Sequence, residues 1–595
     1  MVASLHGELP MIDTNPRLDL NKRRPEADVI ADLVAMAALD TSARARIVTR
    51  ATALVEQIRA ATDPGLMEVF LAEYGLSTDE GVALMCLAEA LLRVPDADTI
   101  DALIEDKIAP SDWSVHLGHS TSPLVNASTW GLLLTGRILE DGDPGIAGTL
   151  RAMLRRLGEP VIRTAVSAAI RQMGRQFVLG EDIDAAMTRA RAMEARGYTY
   201  SYDMLGEAAM TAADAARYAD AYSNAITRIA KGCNGDDITA NPGISVKLSA
   251  LHPRYEVAKT DRVMAELVPV LTTLARQAAR AGMGLNIDAE EADRLNLSLK
   301  VIEAVLSDPA LAGWDGFGVV VQAYGRRAAD MIDALYALAQ AHDRRIMVRL
   351  VKGAYWDTEV KHAQVQGLTD FPVFTRKPAS DVSFIGLARK LLGLTDRIYP
   401  QFATHNAHSV AAVLEMAGDL PPGAFEFQRL HGMGEAMHDL VLDEVGTRCR
   451  IYAPDGAQRD LLAYLVRRLR ENGANSSYEH QIVDTDVPAE QVAACPFDAL
   501  GRNNTPPLTT GPALFAPSRR NAMGFDLNDV TELAHIDSAR RRPGPMHVGP
   551  VITGQITGKT TEDILNPATL QVIGSVTLAS ATDVETALRA AKTWA

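Results

Sequence analysis

The feature that most constrains this chain is a repeated pattern of short β-rich runs, each trailed by an amphipathic stretch. They read ISVKLSA, GLNIDAE, GVVVQAY, RIMVRLV, IYPQFATH, FEFQRLHG and RIYAP, and all lie between Ile244 and Pro454. Strands alternating with helices build parallel sheets, because parallel neighbours need a long crossover between them. A parallel strand with only a packing role is apolar throughout. These runs instead carry Lys247, Asp288, Gln322, Arg349, Thr404, His405, Gln428, His431 and Tyr452 at or near their ends. Barrel active sites are assembled from strand ends, so an α/β fold with a (βα)8 TIM-like barrel over 197–487 fits better than an open sheet.

The flanks have a different texture. An N-terminal arm with Pro10, Pro16 and Pro25 leads into the first helices within residues 1–60, and 61–196 reads as an all-helical domain. Residues 488–545 are rich in Pro, Gly, Asn and Arg and read as an extended linker. Beyond them, 546–595 holds strand-like VITGQITG and QVIGSVTLA, then a helix opened by a capping box of Thr582 and Glu585. A domain that has only begun cannot bury a core, so this segment reads as the start of a further module in a longer polypeptide.

Charge and apolar content narrow the partners. A formal net charge of -16 repels polyanions, which predicts no nucleic-acid partner. No apolar run reaches the roughly 20 residues that span a bilayer, which predicts a cytoplasmic protein. Cys86, Cys233, Cys449 and Cys495 stand singly, without metal or redox spacing.

Three constellations carry chemistry. In RIMVRLVKGAYW, Arg349 and Lys352 end an apolar strand where an unpaired charge would be expensive, so each needs an anionic or electron-rich partner. That partner is either structural, as in an Arg349–Asp288 ion pair, or a ligand. Gly353 lets backbone approach a flat ligand, and Tyr355 and Trp356 offer aromatic faces that also suit a plain core. In AYLVRRLRENGAN, Tyr464, Arg467, Arg468 and Glu471 share one helix face, either as a carboxylate clamp or as a solvated charged surface. In THNAH, His405 and His408 with Asp288, Glu290 and His431 suggest a metal-dependent barrel hydrolase, against which Arg349 and Lys352 would repel a divalent cation. GMGEAM, from Gly432 to Met437, matches only part of a dinucleotide motif.

Taken together and in order, SVKLSALHPRY, DAEEADRL, VVQAY, RLVKGAYWDTE, YPQFATHNAH, LHGMGE, RIYAPDG and LLAYLVRRLRENGAN resemble the proline dehydrogenase domain of the bacterial proline utilisation A flavoenzymes. WSVHLGHSTSPLVNASTWGLLLTG is similar to that family's helical domain, and NPATLQVIGSV to the start of its aldehyde dehydrogenase module. The resemblance implies FAD held in the barrel and oxidation of L-proline to Δ1-pyrroline-5-carboxylate by hydride transfer to flavin N5. It further implies electron delivery to membrane quinone, a cytoplasmic protein with peripheral contact at the inner membrane, and a homo-oligomer when full length. An NAD-dependent second oxidation to glutamate would belong to the missing C-terminal module.

Carried over by motif, Lys247, Asp288, Leu430, Tyr452, Arg467 and Arg468 surround proline, with the two arginines clamping its carboxylate. Arg349 faces the flavin with Asp288 positioning it. Gln322, Val351, Gly353, Tyr355, Trp356, Thr404, His405, Asn406, Gln428, Leu430 and Glu471 complete the cofactor pocket, and Thr375, Arg376 and Lys377 reach its phosphates. Lys352 is assigned to a cofactor phosphate or a neighbouring acid. Some family members begin with a ribbon-helix-helix DNA-binding domain, for which this chain leaves no room, so no repressor function is expected.

Overall fold

A computed structural model describes residues 18, 21–60, 178–204, 206–235, 237–421, 423–456, 478–484, 486–501, 508–540 and 544–594. The chain divides into two units, Met1–Asn528 and Asp529–Ala595.

The first unit is built on a closed barrel of eight strands in the order β1 to β8, parallel throughout. They are β1 Thr199–Met204, β2 Gly243–Val246, β3 Gly284–Ile287, β4 Phe317–Gln322, β5 Ile346–Val351, β6 Ile398–Ala403, β7 Glu426–Leu430 and β8 Cys449–Asp455. Seven match the expected runs; β1, TYSYDM, is the eighth and lies outside them. It closes the barrel by pairing with β2 on one side and β8 on the other.

Side-chain alternation along the strands explains the polar residues. Ile244, Val246, Leu285, Ile287, Val319, Val321, Val348 and Leu350 join the buried core with the surrounding helices. The alternate positions bring Ser201, Ser245, Asn286, Arg349, Gln401, Glu426, Gln428 and Arg450 together across the barrel, where they bond one another. A barrel interior is ordinarily filled by branched apolar side chains. Gly318 of β4 makes room for this polar filling, since a Cβ there would lie 2.5 Å from the Asn286 side chain.

Two N-terminal helices sit on the barrel's outer ring. Glu26–Ala37 packs on Lys377–Leu392, and Thr41–Ala60 packs on Ala407–Ala417. The stretch expected to be a linker begins instead with two packed helices, Ala489–Val492 and Pro496–Leu500. Val492, Ala493 and Phe497 are buried, and the Arg44 guanidinium lies 4.2 Å from the Phe497 ring centroid. Pro496 opens the second helix, where its missing N–H costs nothing, so proline here marks a helix start.

The second unit contains the helix Val530–Arg540, a three-stranded sheet in the order β10-β11-β9, and a final helix, Ala581–Trp594. Its strands are β9 Met546–Val548, β10 Thr561–Leu565 and β11 Val572–Thr577. VITGQITG forms none of them, a correction to the expected pattern. The capping box of the final helix is also shifted from the expected Thr582 and Glu585. The Ser580 hydroxyl accepts from the Asp583 N–H at 3.2 Å, and the Asp583 carboxylate accepts from the Ser580 N–H at 2.8 Å. Asp583 additionally accepts from the N–H groups of Thr557 and Gly558, which no reading of local spacing contains.

Candidate active site

A cavity of about 330 Å3 opens at the carboxyl ends of the strands. Its lining includes Lys247, Asp288, Gln322, Arg349, Val351, Gly353, Tyr355, Lys377, Thr404, His405, Asn406, Gln428, Leu430 and Tyr452, all singled out from sequence.

At its floor stands a charge-balanced array. The Lys247 ammonium, from the residue after β2, donates to both Asp203 oxygens at 2.7 and 2.8 Å, and to Asp288 Oδ2 at 3.1 Å. Tyr452 of β8 donates its hydroxyl to Asp203 Oδ2 and lies 3.0 Å from Asp288 Oδ2. Arg349 of β5 donates to Asp288 Oδ1, Ser201 Oγ and Ser245 Oγ, each at 3.1 Å. Its guanidinium carbon sits 5.1 Å from the Tyr452 ring centroid. The structural ion pair weighed from sequence therefore exists, and it stands inside the cavity wall.

The protonation of this array follows from burial and charge. Burial alone would push the Lys247 ammonium down, but the negative charge of Asp203, with that of Asp288, outweighs it and holds its pKa well above the lysine value. Burial pushes the Asp203 carboxyl up, opposed by Lys247 and reinforced by Asp288. Burial also drives the Tyr452 phenol well above its ordinary value, with Asp203 and Asp288 adding to the effect. At neutral pH the array holds an ammonium and a neutral phenol.

Asp203 and the serines Ser201 and Ser245 were missed from sequence. The signal was present in TYSYDM, where Ser201 and Asp203 alternate with buried Tyr200 and Tyr202, the period-two pattern of a strand with one polar face.

Several assigned residues also have partners within the protein. Thr375 is held by the N-terminal helix, its N–H and hydroxyl both donating to Glu26. Trp356 donates its indole N–H to the Phe374 carbonyl at 2.8 Å and packs against a small cluster containing Tyr324 and Phe371. Arg376 precedes the helix Lys377–Leu392 at its N-cap. Thr375, Trp356 and Arg376 are not among the residues that line this cavity. Lys352 lines the cavity and pairs with the Asp381 carboxylate, so the neighbouring acid is its partner here. Burial works against ionised Asp381, yet Lys352 and Lys377 hold its pKa below the usual carboxylate value. Gly353 has φ +122, and a Cβ there would lie 2.6 Å from the Tyr324 ring, so backbone conformation and Tyr324 both require glycine.

The two histidines of THNAH do not converge. His405 Nε2 accepts from the Leu430 N–H at 3.0 Å at the cavity, whereas His408 Nδ1 meets the Ala493 carbonyl at 3.0 Å. Among the described residues, no group of three or more His, Cys, Asp or Glu side chains is arranged to hold a metal ion. The geometry does not favour the hydrolase reading. Tyr464, Arg467, Arg468 and Glu471 lie outside the described residues.

A family model described as Proline dehydrogenase matches residues 186–481, and one described as Proline utilization A proline dehydrogenase N-terminal domain matches residues 18–59. By that match, the barrel segment of the chain falls in the proline dehydrogenase family. A third model, described as DNA-binding domain of Proline dehydrogenase, matches residues 66–177, which lie outside the described ones. That match conflicts with the expectation of no nucleic-acid partner, because a net charge averages over the whole chain and does not report on one segment.

Bifunctional protein PutA of Salmonella typhimurium is 46% identical over 597 residues, covering 95% of this chain and 45% of that protein. Proline dehydrogenase 1 of Bacillus subtilis strain 168 is 27% identical over 308 residues, 51% of this chain and 88% of that protein. A crystal structure of a Bradyrhizobium japonicum Proline Utilization A (PutA) mutant matches with TM-score 0.69 at 49% identity, covering 89% of this chain and 54% of that one. The chain thus spans about half the length of the bifunctional relatives it matches. The proline dehydrogenase match, from 186 to 481, contains all eight barrel strands.

Proposed function

We propose that the barrel is an FAD-dependent proline dehydrogenase, oxidising L-proline to Δ1-pyrroline-5-carboxylate and passing the electrons to a membrane quinone. The observation that carries this reading is the charge-balanced array of Lys247, Asp203, Asp288, Arg349 and Tyr452 at the floor of an open strand-end cavity.

The residues present fit a flavin. Arg349 Nε and Gln428 Oε1 are buried without a hydrogen-bond partner, one a donor and the other an acceptor, and both residues line the cavity. A flat heteroaromatic ring with donor and acceptor edges answers both. Lys377, assigned to the phosphates, lines the same cavity and brings a positive charge to it. FAD bound there would supply the two-electron acceptor for hydride from the proline carbon next to nitrogen.

The chain's own residues do the rest. Asp288, Ser201 and Ser245 fix the Arg349 guanidinium, so its positive charge is in place before any reaction and needs no reorganisation. Leu430, Val351 and Tyr355 wall the cavity, Leu430 being assigned to the pyrrolidine ring and the other two to the cofactor. Arg467 and Arg468 are assigned to the substrate carboxylate, whose bidentate capture orients the ring.

The test is the visible spectrum of the purified protein before and after L-proline. A flavin spectrum that bleaches with proline supports the reading. Absence of flavin after FAD is supplied, or a flavin that stays oxidised with proline, overturns it.

A further inference from the structure

Resting on the proline-oxidising reading, we propose that Asp203 is a positioning residue that keeps Lys247 an ammonium throughout turnover, so that Lys247 serves as a fixed positive charge and not as the base that takes the substrate's amine proton. A lysine at the floor of an amine-oxidising site invites the opposite assignment, since a buried lysine with a depressed pKa is a ready general base. The geometry around this one argues against it.

Lys247 Nζ is surrounded by acceptors. Both Asp203 oxygens lie within 2.8 Å, Asp288 Oδ2 at 3.1 Å and the Tyr452 hydroxyl at 3.3 Å. An ammonium has three hydrogens and no lone pair, and acceptors on this many sides can be satisfied only by the charged form. Asp203 is itself wholly buried, and its carboxylate needs that cation as much as the cation needs it.

The groups facing the pair from each packed element are Asp288 of the β3 end, Arg349 of β5, Tyr452 and Asp455 of β8, and Tyr222 of the helix Ala212–Ile229. Arg349 is already engaged with the other oxygen of Asp288, leaving Asp203 as the carboxylate that contacts Lys247 through both its oxygens. Tyr452 donates to Asp203, so one carboxylate fixes both the cation and the phenol that line the cavity.

The two roles predict opposite pH behaviour when Asp203 loses its charge. In flavin-loaded Asp203→Asn, burial acts on Lys247 with its principal counter-charge gone, and its pKa falls. If Lys247 works as a cation, kcat/KM for proline then acquires an alkaline break absent from the wild type, falling about tenfold per pH unit above it. If Lys247 is the base, the same change shifts the acid limb to lower pH and raises kcat/KM on the acid side, which overturns the proposal. An unchanged profile overturns it too.

Asp203→Glu retains the carboxylate and is expected to keep the wild-type profile. Should Asp203→Asn fail to fold, Lys247→Arg decides, because a guanidinium keeps its proton and cannot act as the base. We expect Lys247→Arg to retain at least tenfold more kcat/KM than Lys247→Met; equal loss in both overturns the cation role. A wild-type enzyme whose flavin is not reduced by proline defeats the functional reading itself, whereas normal turnover with an acid-side shift in Asp203→Asn defeats only this inference.

Discussion

The barrel interior holds two polar tiers of similar composition and different character. In the lower tier, near the strand starts, Glu426 accepts from Arg450 Nε at 2.8 Å and from Gln401 and Gln428 at 2.9 Å each. Arg450 also donates to the second Glu426 oxygen at 3.3 Å and to the carbonyls of Tyr200, Asn241 and Thr239, and Gln401 accepts from Asn286. In the upper tier, Arg349 and Lys247 face Asp288 and Asp203, but Arg349 Nε and Gln428 Oε1 remain unpaired beside a cavity. Gln428 belongs to both tiers, its amide N–H bound below and its oxygen unpaired. Buried charge alone therefore does not mark a site. Charge with an unfilled valence beside a cavity does.

The largest expected effect tests the lower tier. Arg450→Met strands the Glu426 carboxylate, which has no exposure to solvent, and breaking such a pair costs about 3–5 kcal/mol. Urea unfolding measures it. Arg349→Met removes a cation from Asp288, which keeps Lys247 and Tyr452 as partners, so its stability loss should be clearly smaller. Equal losses would erase the distinction between tiers.

Activity should rank the tiers the other way. Arg349→Met is expected to lower kcat/KM for proline by roughly 10²-fold or more, the usual cost of removing a preorganised electrostatic group. Dye-coupled turnover with flavin content measured in parallel checks it. A fall below tenfold in fully flavin-loaded enzyme would place Arg349 with the structural residues.

The carboxylate clamp comes next in size. Arg467→Met or Arg468→Met should raise KM for proline by about 10- to 100-fold while FAD stays bound, because a charged hydrogen-bond partner of a buried carboxylate is lost. Unchanged KM in both would mean that the substrate carboxylate is held elsewhere.

Legibility in the sequence followed the same division. The barrel was readable because Lys247, Asp288, Arg349 and Tyr452 interrupt apolar runs at recurring strand ends, and a period-two signal survives without knowledge of neighbours. β1 escaped because its buried tyrosines look unlike the aliphatic runs of the other strands. The partners of Lys352 and Thr375 were not readable, since Asp381 and Glu26 lie far away in the chain and only folding brings them near. The same holds for Asp583, whose distant contacts accompany the local capping box. Local chemistry shows that a charge needs a partner; topology decides which one it finds.

The smallest effect comes from a buried carboxylate on the helix Trp356–Val365, which among the described residues is bound by a backbone N–H, unlike Glu426 with its guanidinium. Glu359 accepts from the Ala292 N–H at 2.6 Å; burial pushes its pKa up to about 7, with Asp293 and Glu291 adding to the rise and Arg327 acting against it. The folded carboxyl takes its proton near pH 7, whereas the unfolded one waits until about 4.5. Between those values the folded state binds more protons, so this group's contribution to stability is full below the unfolded pKa and is lost as pH rises through 7. Glu359→Gln keeps an acceptor for Ala292 and removes the titration. The variant should gain on the wild type as pH rises from 5 to 8, by at most about 1.4 kcal/mol per pH unit. Parallel unfolding curves at each pH measure the difference, and a gap that stays constant would show that Glu359 is ionised in both states across the range.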